Sequence, residues 1–392
     1  MAERVFPPPP LEPAALAAPL RPLRQARMPP PAAYTDEEVF AWERRVFFGG
    51  WQCAGLSAQL QPGDYRAERL GPGGVLLTRD GAGVARAFAN TCRHRGHELL
   101  PCGTASAGKA IVCPYHSWAY ELNGSLRGAP GFGGRPEFAA SDWGLIPLPV
   151  TEWHGLVFAD GSGEDVPLAG SLATLAPLVA PYQPERLVVT ATHDYEVAAN
   201  WKIITENFHE CYHCPAIHPQ LCKVSPPDSG DNFDLPGIWI GGRMDLRDGA
   251  VTMSADGSSG GVILPGLADA GRGRVLYVNV FPNVLISLHP DYVMAHRLVP
   301  LAAGATRIEC AWLFPPEALA RPGFDPGYAV EFWDVTNRQD WRACEGVQRG
   351  LASPAAAPGP LSDREDAVHL FAAMIARGYL GERVWNPGRE TP

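Results

Sequence analysis

The sequence predicts an α+β protein with two domains, in which an all-β stretch precedes an antiparallel sheet covered by helices. Short β-type runs at 75–78 and 84–88 flank a turn at 79–83, which predicts a hairpin in a stretch that ends near residue 160. An antiparallel meander is predicted from four later runs, 276–281, 284–288, 292–298 and 307–313. Because an amphipathic segment at 328–350 follows these strands, the second domain combines a sheet with helices.

The chain is predicted to divide into four parts. Residues 1–33 are an Ala/Pro-rich arm, which we expect to be extended or disordered because this segment cannot bury a core of its own. A helix leads into the first domain, and Thr35 with Glu38 form a capping box at its start. The predicted boundaries are 1–33 for the arm, 34–48 for the helix, 49–162 for the first domain and 163–392 for the second.

The composition excludes several classes of partner. A net charge of −10 argues against nucleic acid and anionic membranes. No apolar run approaches the ~20 residues that span a bilayer, and no signal-peptide core follows Met1, so we expect a cytoplasmic protein. Seven of the nine cysteines are expected to be reduced thiols, as is usual in the cytosol. Among these, Cys211 and Cys214 are expected to pack as small buried side chains.

Two short clips each join one cysteine to one histidine, Cys92 to His94 and Cys113 to His116. Such clips bring four soft or borderline ligands to one metal site from neighbouring loops. Zinc also takes two cysteines and two histidines, but its usual spacing puts the cysteines in one clip and the histidines in the other. In a Rieske 2Fe–2S cluster, two cysteines hold one iron and two histidines hold the other. The mixed clips therefore predict an iron–sulfur protein.

A second metal centre is predicted from the segment at 200–219. The stretch before Pro215 lacks Gly and Pro and predicts a helix that this proline ends. On that helix Glu210 and His213 share a face, and an irregular turn can bring His218 back toward His213. Two histidines and one carboxylate from elsewhere form the facial triad of non-haem Fe(II) oxygenases.

The carboxylate of this triad is expected on the helix predicted at 328–350. Asp334, Asp340 and Glu331 compete for the role. At ~100° per residue, Asp334 and Asp340 lie about 600° apart around a helix, so the two side chains point in different directions and only one of them can be a ligand.

Together, the two clips and the segment at 200–219 resemble the catalytic subunit of Rieske non-haem iron oxygenases, over about residues 34–380. The resemblance implies a Rieske domain at 49–162, a helix-grip fold at 163–392, and Asp334 as the third ligand. The implied ligands are Cys92, His94, Cys113 and His116 for the cluster, and His213, His218 and Asp334 for the Fe(II).

The resemblance also implies partners and a reaction. A separate flavin- or ferredoxin-type reductase would supply electrons from NAD(P)H, and O2 would be the co-substrate of a monooxygenase. The implied assembly is a homotrimer in which Glu210 joins His213 to His116 of the partner subunit. Most relatives carry aspartate at this bridging position, so Glu210 is a feature of one branch of the family.

The runs at 200–219 and 332–350 look most like the branch that acts on choline, glycine betaine and carnitine. This resemblance implies hydroxylation and N-demethylation of a betaine-like quaternary ammonium compound; the alternative is an aromatic ring-hydroxylating or O-demethylating oxygenase. A tetraalkylammonium group would be held by aromatic ring faces. The candidate aromatic residues are Phe208, Tyr212, Phe233, Trp239 and Tyr292. Arg243 could instead pair with a carboxylate of the substrate.

Overall fold

The computed structural model describes residues 8–162 and 167–388, which form two compact units. One unit is Glu43–Leu168. The other unit combines the residues up to Trp42 with the residues from Ala169 onward, so it is built from two segments of the chain. One unit is built mainly from short strands, and the other combines a large antiparallel sheet with helices. The predicted α+β fold class is therefore confirmed.

The unit at Glu43–Leu168 contains three small antiparallel sheets. Its strands are β1 (Trp51–Leu56), β2 (Asp64–Leu70), β3 (Gly73–Arg79), β4 (Ala85–Ala89), β5 (Thr104–Ala107), β6 (Ile111–Val112), β7 (Ala119–Tyr120), β8 (Leu126–Gly128), β9 (Pro147–Leu148), β10 (Val150–Trp153) and β11 (Leu156–Asp160). The sheet orders are β5-β2-β3-β4-β9, β1-β11-β10 and β6-β7-β8. The predicted hairpin is β3–β4, in which Arg79 pairs with Ala85.

The other unit is centred on an antiparallel sheet with the order β12-β18-β17-β16-β15-β14-β13. Its strands are β12 (Val188–Val197), β13 (Asp231–Asn232), β14 (Trp239–Asp245), β15 (Arg274–Val280), β16 (Val284–Leu288), β17 (Val293–Ala302) and β18 (Ala305–Phe314). The last four strands are the predicted meander, and their largely apolar sequences are buried along most of their length.

The helices are α1 (Pro13–Leu16), α2 (Ala32–Thr35), α3 (Glu37–Val46), α4 (Leu168–Ser171), α5 (Ala176–Val179), α6 (Trp201–Phe208), α7 (Cys214–Ile217), α8 (Pro219–Val224), α9 (Pro316–Leu319), α10 (Gly327–Leu351) and α11 (Asp366–Tyr379). Helix α10 agrees with the segment predicted at 328–350, and it buries Phe332, Trp333 and Trp341. Across the described ranges, no helix has both the length and the apolar character of a membrane span.

The helix predicted to continue up to Pro215 ends earlier, at Phe208. His209 leaves the helical conformation, with φ −91° and ψ 1°, and Pro215 lies in the first turn of α7 instead of ending α6. The Glu210 carboxylate accepts a hydrogen bond from the backbone N–H of His213 at 3.0 Å, which stabilises a turn that local helix propensity does not predict. Glu210 and His213 therefore lie in a turn and not on a helix face.

The expectation of an extended or disordered arm is wrong for its described part, while residues 1–7 lie outside the described residues. Leu16 and Ala26 are buried, and α1, which contains Leu16, packs against α11 of the same unit. The backbone N–H of Met28 donates to the carbonyl of Gly359 at 3.0 Å. The predicted capping box is also absent, since Asp36, not Thr35, accepts the N–H of Glu38 at the start of α3.

Candidate metal centres and substrate cavity

The two Cys/His clips lie on matching turns, one between β4 and β5 and one between β6 and β7. In the first turn, the N–H of Gly96 donates to the carbonyl of Cys92 at 3.0 Å. In the second, the N–H of Ser117 donates to the carbonyl of Cys113 at 3.1 Å, and Ser117 adopts a positive φ of 58°. The same tight turn thus presents a cysteine and a histidine from each loop.

The side chains of the clips face one another. The ring centroids of His94 and His116 are 4.6 Å apart, and Trp118 stacks on His94 at 5.0 Å. Both cysteines are buried, at 2% exposure for Cys92 and 1% for Cys113. Burial raises the pKa of the Cys92 thiol, and the neighbouring Cys113 raises it further, although Tyr120 opposes this by hydrogen bonding.

These residues fit a Rieske cluster by the chemistry of their donor atoms. Among the described residues, Nδ1 of His94 is buried without a hydrogen-bond partner, as expected of an imidazole that binds a metal. Buried thiols become thiolates readily only beside a cation such as iron. The hydroxyl oxygen of Tyr120 lies 3.3 Å from Sγ of Cys92, where it can donate to a thiolate ligand.

A second group of side chains that could hold a metal ion is formed by His213, His218 and Asp340. Their ligand atoms all lie within 4.8 Å of one another. Oδ1 of Asp340 is 2.7 Å from Nε2 of His218 and 3.3 Å from Nε2 of His213. The histidines flank α7, and the carboxylate comes from α10, so packing between distant segments assembles the group. Two imidazoles and one carboxylate fit a non-haem Fe(II) site with open positions.

The second nitrogen of each imidazole also has a partner. Nδ1 of His213 is hydrogen bonded to the Glu210 carboxylate, and Nδ1 of His218 lies 2.8 Å from Oε1 of Gln339. Both Nε2 atoms therefore point to the same place, as in metal sites where a carboxylate or carbonyl orients the histidine. The sequence does not predict that Gln339 belongs to this site, because nothing in its neighbourhood distinguishes it from a solvent-exposed residue of a helix.

In this group, the Asp340 carboxylate and the His213 imidazole shift each other's pKa. Burial alone would lower the pKa of His213, but its hydrogen bonds to Asp340 and Glu210 raise it to about 9. Burial likewise opposes ionisation of Asp340, yet contact with both histidines holds its pKa below the usual value. The group therefore presents an ionised carboxylate between two imidazoles, and a divalent cation would replace the proton shared among them.

The prediction of Asp334 as the third ligand is wrong. Its Oδ1 accepts a hydrogen bond from the Tyr195 hydroxyl at 2.8 Å, and its Oδ2 accepts one from Nε of Arg338 at 2.8 Å. Nδ1 of His193 lies 3.1 Å from the same carboxylate. Asp334 is thus engaged between α10 and β12, whereas the rival Asp340, six residues along the helix, faces His213 and His218.

The expectation of reduced thiols at Cys211 and Cys214 is also wrong, since the structure joins them in a disulfide. The turn after α6 brings their Cα atoms to 4.9 Å, within the range that a disulfide bridges. The remaining seven cysteines, including Cys92 and Cys113, form no disulfide.

A cavity of about 360 Å³ opens beside His213, His218 and Asp340. Of the five aromatic residues proposed from the sequence, Phe208 and Tyr212 line it. Phe233, Trp239 and Tyr292 lie elsewhere; for example, the Trp239 indole donates to Thr174 and the Tyr292 hydroxyl donates to the carbonyl of Met253. The other aromatic residues of the wall are Tyr277, Trp333 and Trp341.

Polar side chains complete the wall of the cavity. Arg243 lines it, but its guanidinium is paired with Asp231 at 2.9 Å, so its charge is already matched. His209 and His296 are two buried imidazoles of the wall. Burial lowers the pKa of each to about 4, although Asn279 opposes the shift at His209, and Asn337 and Asp340 oppose it at His296.

Comparison with known families matches both parts of the chain. Residues 50–139 match the Rieske [2Fe-2S] domain, and residues 184–381 match the ring hydroxylating alpha subunit (catalytic domain). The first match contains both Cys/His clips. The second contains His213, His218 and Asp340.

Individual proteins resemble the chain over most of its length. It is 32% identical to the glycine betaine monooxygenase oxygenase subunit of Pseudomonas aeruginosa, over 96% of this chain and 94% of that protein. It is 29% identical to the chloroplastic choline monooxygenase of Spinacia oleracea, over 90% and 79%. The solved structure of the quaternary ammonium Rieske monooxygenase CntA with its substrate gamma-butyrobetaine matches with a TM-score of 0.75 and 25% identity, over 94% of this chain and 99% of that chain.

Proposed function

Because this chain belongs to the ring-hydroxylating oxygenase alpha subunits with a Rieske domain, we propose that it hydroxylates and N-demethylates a betaine-like quaternary ammonium compound. The relatives described above include monooxygenases of glycine betaine and choline, and a CntA structure contains gamma-butyrobetaine. These names support the substrate class for this chain.

The observation that carries the proposal is the aromatic wall beside the histidine–carboxylate group. Phe208, Tyr277 and Trp333 line the same cavity as His213 and Asp340. A trimethylammonium group has no N–H to donate and is attracted instead to the faces of aromatic rings. The cavity can therefore hold the cation while leaving an N-methyl group beside the metal-binding residues.

We propose that each cofactor is held by residues of one unit. Cys92, His94, Cys113 and His116 would hold the Rieske cluster, and His213, His218 and Asp340 would hold Fe(II). When bound, the iron supplies the activation of O2 and the cluster supplies electrons. The protein side chains supply orientation, since Glu210 and Gln339 each fix one imidazole by its outer nitrogen.

The proposed reaction balances with O2, two electrons and two protons. One oxygen atom enters a C–H bond of an N-methyl group, and the other leaves as water. The resulting N-hydroxymethyl group breaks at its C–N bond, which releases formaldehyde, a proton and the demethylated amine. Aromatic side chains that line the cavity exclude bulk water from the reacting methyl group.

The reaction requires partners that lie outside one chain. We propose a separate flavin- or ferredoxin-type reductase that draws on NAD(P)H, a homotrimer, and a cytoplasmic location. In the trimer, Glu210 would join His213 to His116 of the partner subunit and so connect the two centres. The domains proposed at 49–162 and 163–392 would then accept electrons and bind substrate, respectively.

The test is a substrate screen of the iron-loaded protein with a surrogate reductase. Glycine betaine, carnitine, choline and a simple arene are compared by substrate-dependent O2 consumption, formaldehyde release and product analysis. We expect a betaine to give formaldehyde in proportion to the O2 consumed. Ring hydroxylation of the arene without turnover of any ammonium compound would replace the proposal with the aromatic alternative.

A further inference from the structure

His296 is a buried side chain of the cavity wall, and its two ring nitrogens are not hydrogen bonded to other described residues. It lies on β17, is 2% exposed, and lines the cavity together with Met294, which shares its face of the strand. Among the described residues, neither Nδ1 nor Nε2 of His296 has a partner with hydrogen-bond geometry, although the side chain of Asn337 is close enough to oppose the lowering of the His296 pKa. Its ring is nearly perpendicular to that of Trp341, with the two ring centroids 6.1 Å apart.

A buried polar group without a hydrogen-bond partner is destabilising, so such a group normally finds a partner in the functional state. The position of His296 limits what that partner can be. The ring faces a cavity lined by Asn337 and Asp340 of α10, within the site proposed for substrate. An imidazole carries at least one N–H in either protonation state and can therefore donate to an oxygen atom.

We propose that His296 donates a hydrogen bond to an oxygen of the bound substrate and so determines specificity for ammonium compounds that carry an oxygen acceptor, such as a carboxylate. The inference rests on the proposed function and deepens it. The aromatic wall would bind the cation, and His296 would distinguish a betaine from an alkylammonium ion of similar size.

Two other buried histidines, His289 and His209, each lack one of the features of His296. His289 is 0% exposed and also has both ring nitrogens without partners among the described residues, but the residues that line the cavity do not include it. His209 lines the cavity, yet only its Nε2 is buried without a partner. His296 alone of the three combines two unpartnered nitrogens with a place in the wall.

The experiment measures binding without turnover, using the protein loaded with both metals, under anaerobic conditions and without reductase. Titration calorimetry compares glycine betaine with ethyltrimethylammonium, which keeps the trimethylammonium group but has no oxygen acceptor. The variants are His296→Leu, which removes both nitrogens at similar volume, and His296→Gln, which restores an N–H donor. His289→Leu is the matched control, because it removes an equally buried imidazole outside the wall.

We expect His296→Leu to weaken glycine betaine binding by about tenfold to a hundredfold, the range of a hydrogen bond to a charged group. Ethyltrimethylammonium should bind this variant within about twofold of wild type, and His296→Gln should recover part of the betaine affinity. His289→Leu should leave the ratio of the two affinities unchanged, because any effect on packing acts on both ligands alike.

The alternative outcomes separate the two proposals. If His296→Leu weakens both ligands equally, or neither, the role assigned to His296 is overturned while the proposed function stands. If wild-type protein binds neither ammonium compound, the proposed function is overturned, and the specificity assigned to His296 falls with it. The Rieske absorption of each variant verifies that the protein is folded and loaded.

Discussion

Oε1 of Gln339 lies 2.8 Å from Nδ1 of His218, on the side of the ring opposite to the nitrogen that contacts Asp340. Since an amide oxygen only accepts hydrogen bonds, the proton of a neutral His218 resides on Nδ1, and the lone pair of Nε2 is left for a metal. Helix α10 therefore supplies both a candidate ligand, Asp340, and the residue that orients a second candidate ligand, His218.

Replacing Gln339 by Leu should weaken Fe(II) binding at the mononuclear site by about 10- to 100-fold, as is typical when the partner of a ligating histidine is lost. Competition with a chelator, followed by iron analysis, measures the change. Gln339→Glu is the control, because it keeps an acceptor at the same position and should retain most of the affinity. Wild-type affinity in Gln339→Leu would show that this contact does not orient His218.

Asp340→Ala should lose the mononuclear iron while the cluster absorption stays intact. The physical reason is that Asp340 is the carboxylate in contact with both histidines, at 2.7 and 3.3 Å. Asp334→Ala should retain both cofactors, since Asp334 bonds to Tyr195 and Arg338 instead. Iron content per chain and the visible spectrum are the measurements. Loss of the mononuclear iron in Asp334→Ala alone would reinstate Asp334 as the ligand.

Glu210→Gln should slow electron transfer between the two centres without removing either cofactor. The substitution keeps the size of the side chain but removes the charge that is hydrogen bonded to His213. We expect reduction of the cluster by the reductase to stay fast, and single-turnover oxidation of the cluster to slow by roughly 10- to 100-fold. Stopped-flow absorption at the cluster bands separates the two steps, and wild-type rates in both would contradict a coupling role.

His289→Leu should change how stability depends on pH. Burial keeps the pKa of His289 well below the usual imidazole value of about 6.5. Because a depressed histidine pKa contributes stability above pH 6.5 that is lost as the pH falls, the wild type should lose more stability than the variant between pH 7.5 and 5, as only the unfolded chain gains a proton on His289 over this range. Urea unfolding at the two pH values measures the difference, and equal losses would contradict the prediction.

Much of the fold could be predicted from the sequence, because its signals are local. The four strands of the meander and α10 are where the alternation of apolar residues and the helical pattern predict them. The Cys/His clips likewise predict a Rieske cluster, because each clip joins one cysteine to one histidine within a few residues. The family comparison agrees with this prediction, since residues 50–139 match the Rieske [2Fe-2S] domain.

The wrong choice of the third iron ligand concerns a relation between distant segments. Asp334 and Asp340 lie on the same helix, and only its rotation against β12 decides which of them meets the histidines. That rotation depends on contacts such as Tyr195 with Asp334, which no local pattern reveals. The early end of α6 is a local effect instead, because the Glu210 carboxylate accepts a hydrogen bond from the backbone N–H of His213 and so stabilises a turn in place of the helix. His296 carried no sequence signal, because its importance follows only from burial beside the cavity.

The bond between Asp334 and Tyr195 has a consequence for how the protein tolerates change in length. It fixes α10 against the sheet at one point, and Asp340 depends on the same helix one and two-thirds turns further on. A single inserted residue between the two aspartates would swing the Asp340 carboxylate by about 100° around the helix axis, away from both histidines. The number of residues between Asp334 and Asp340 therefore determines the direction in which the Asp340 carboxylate points.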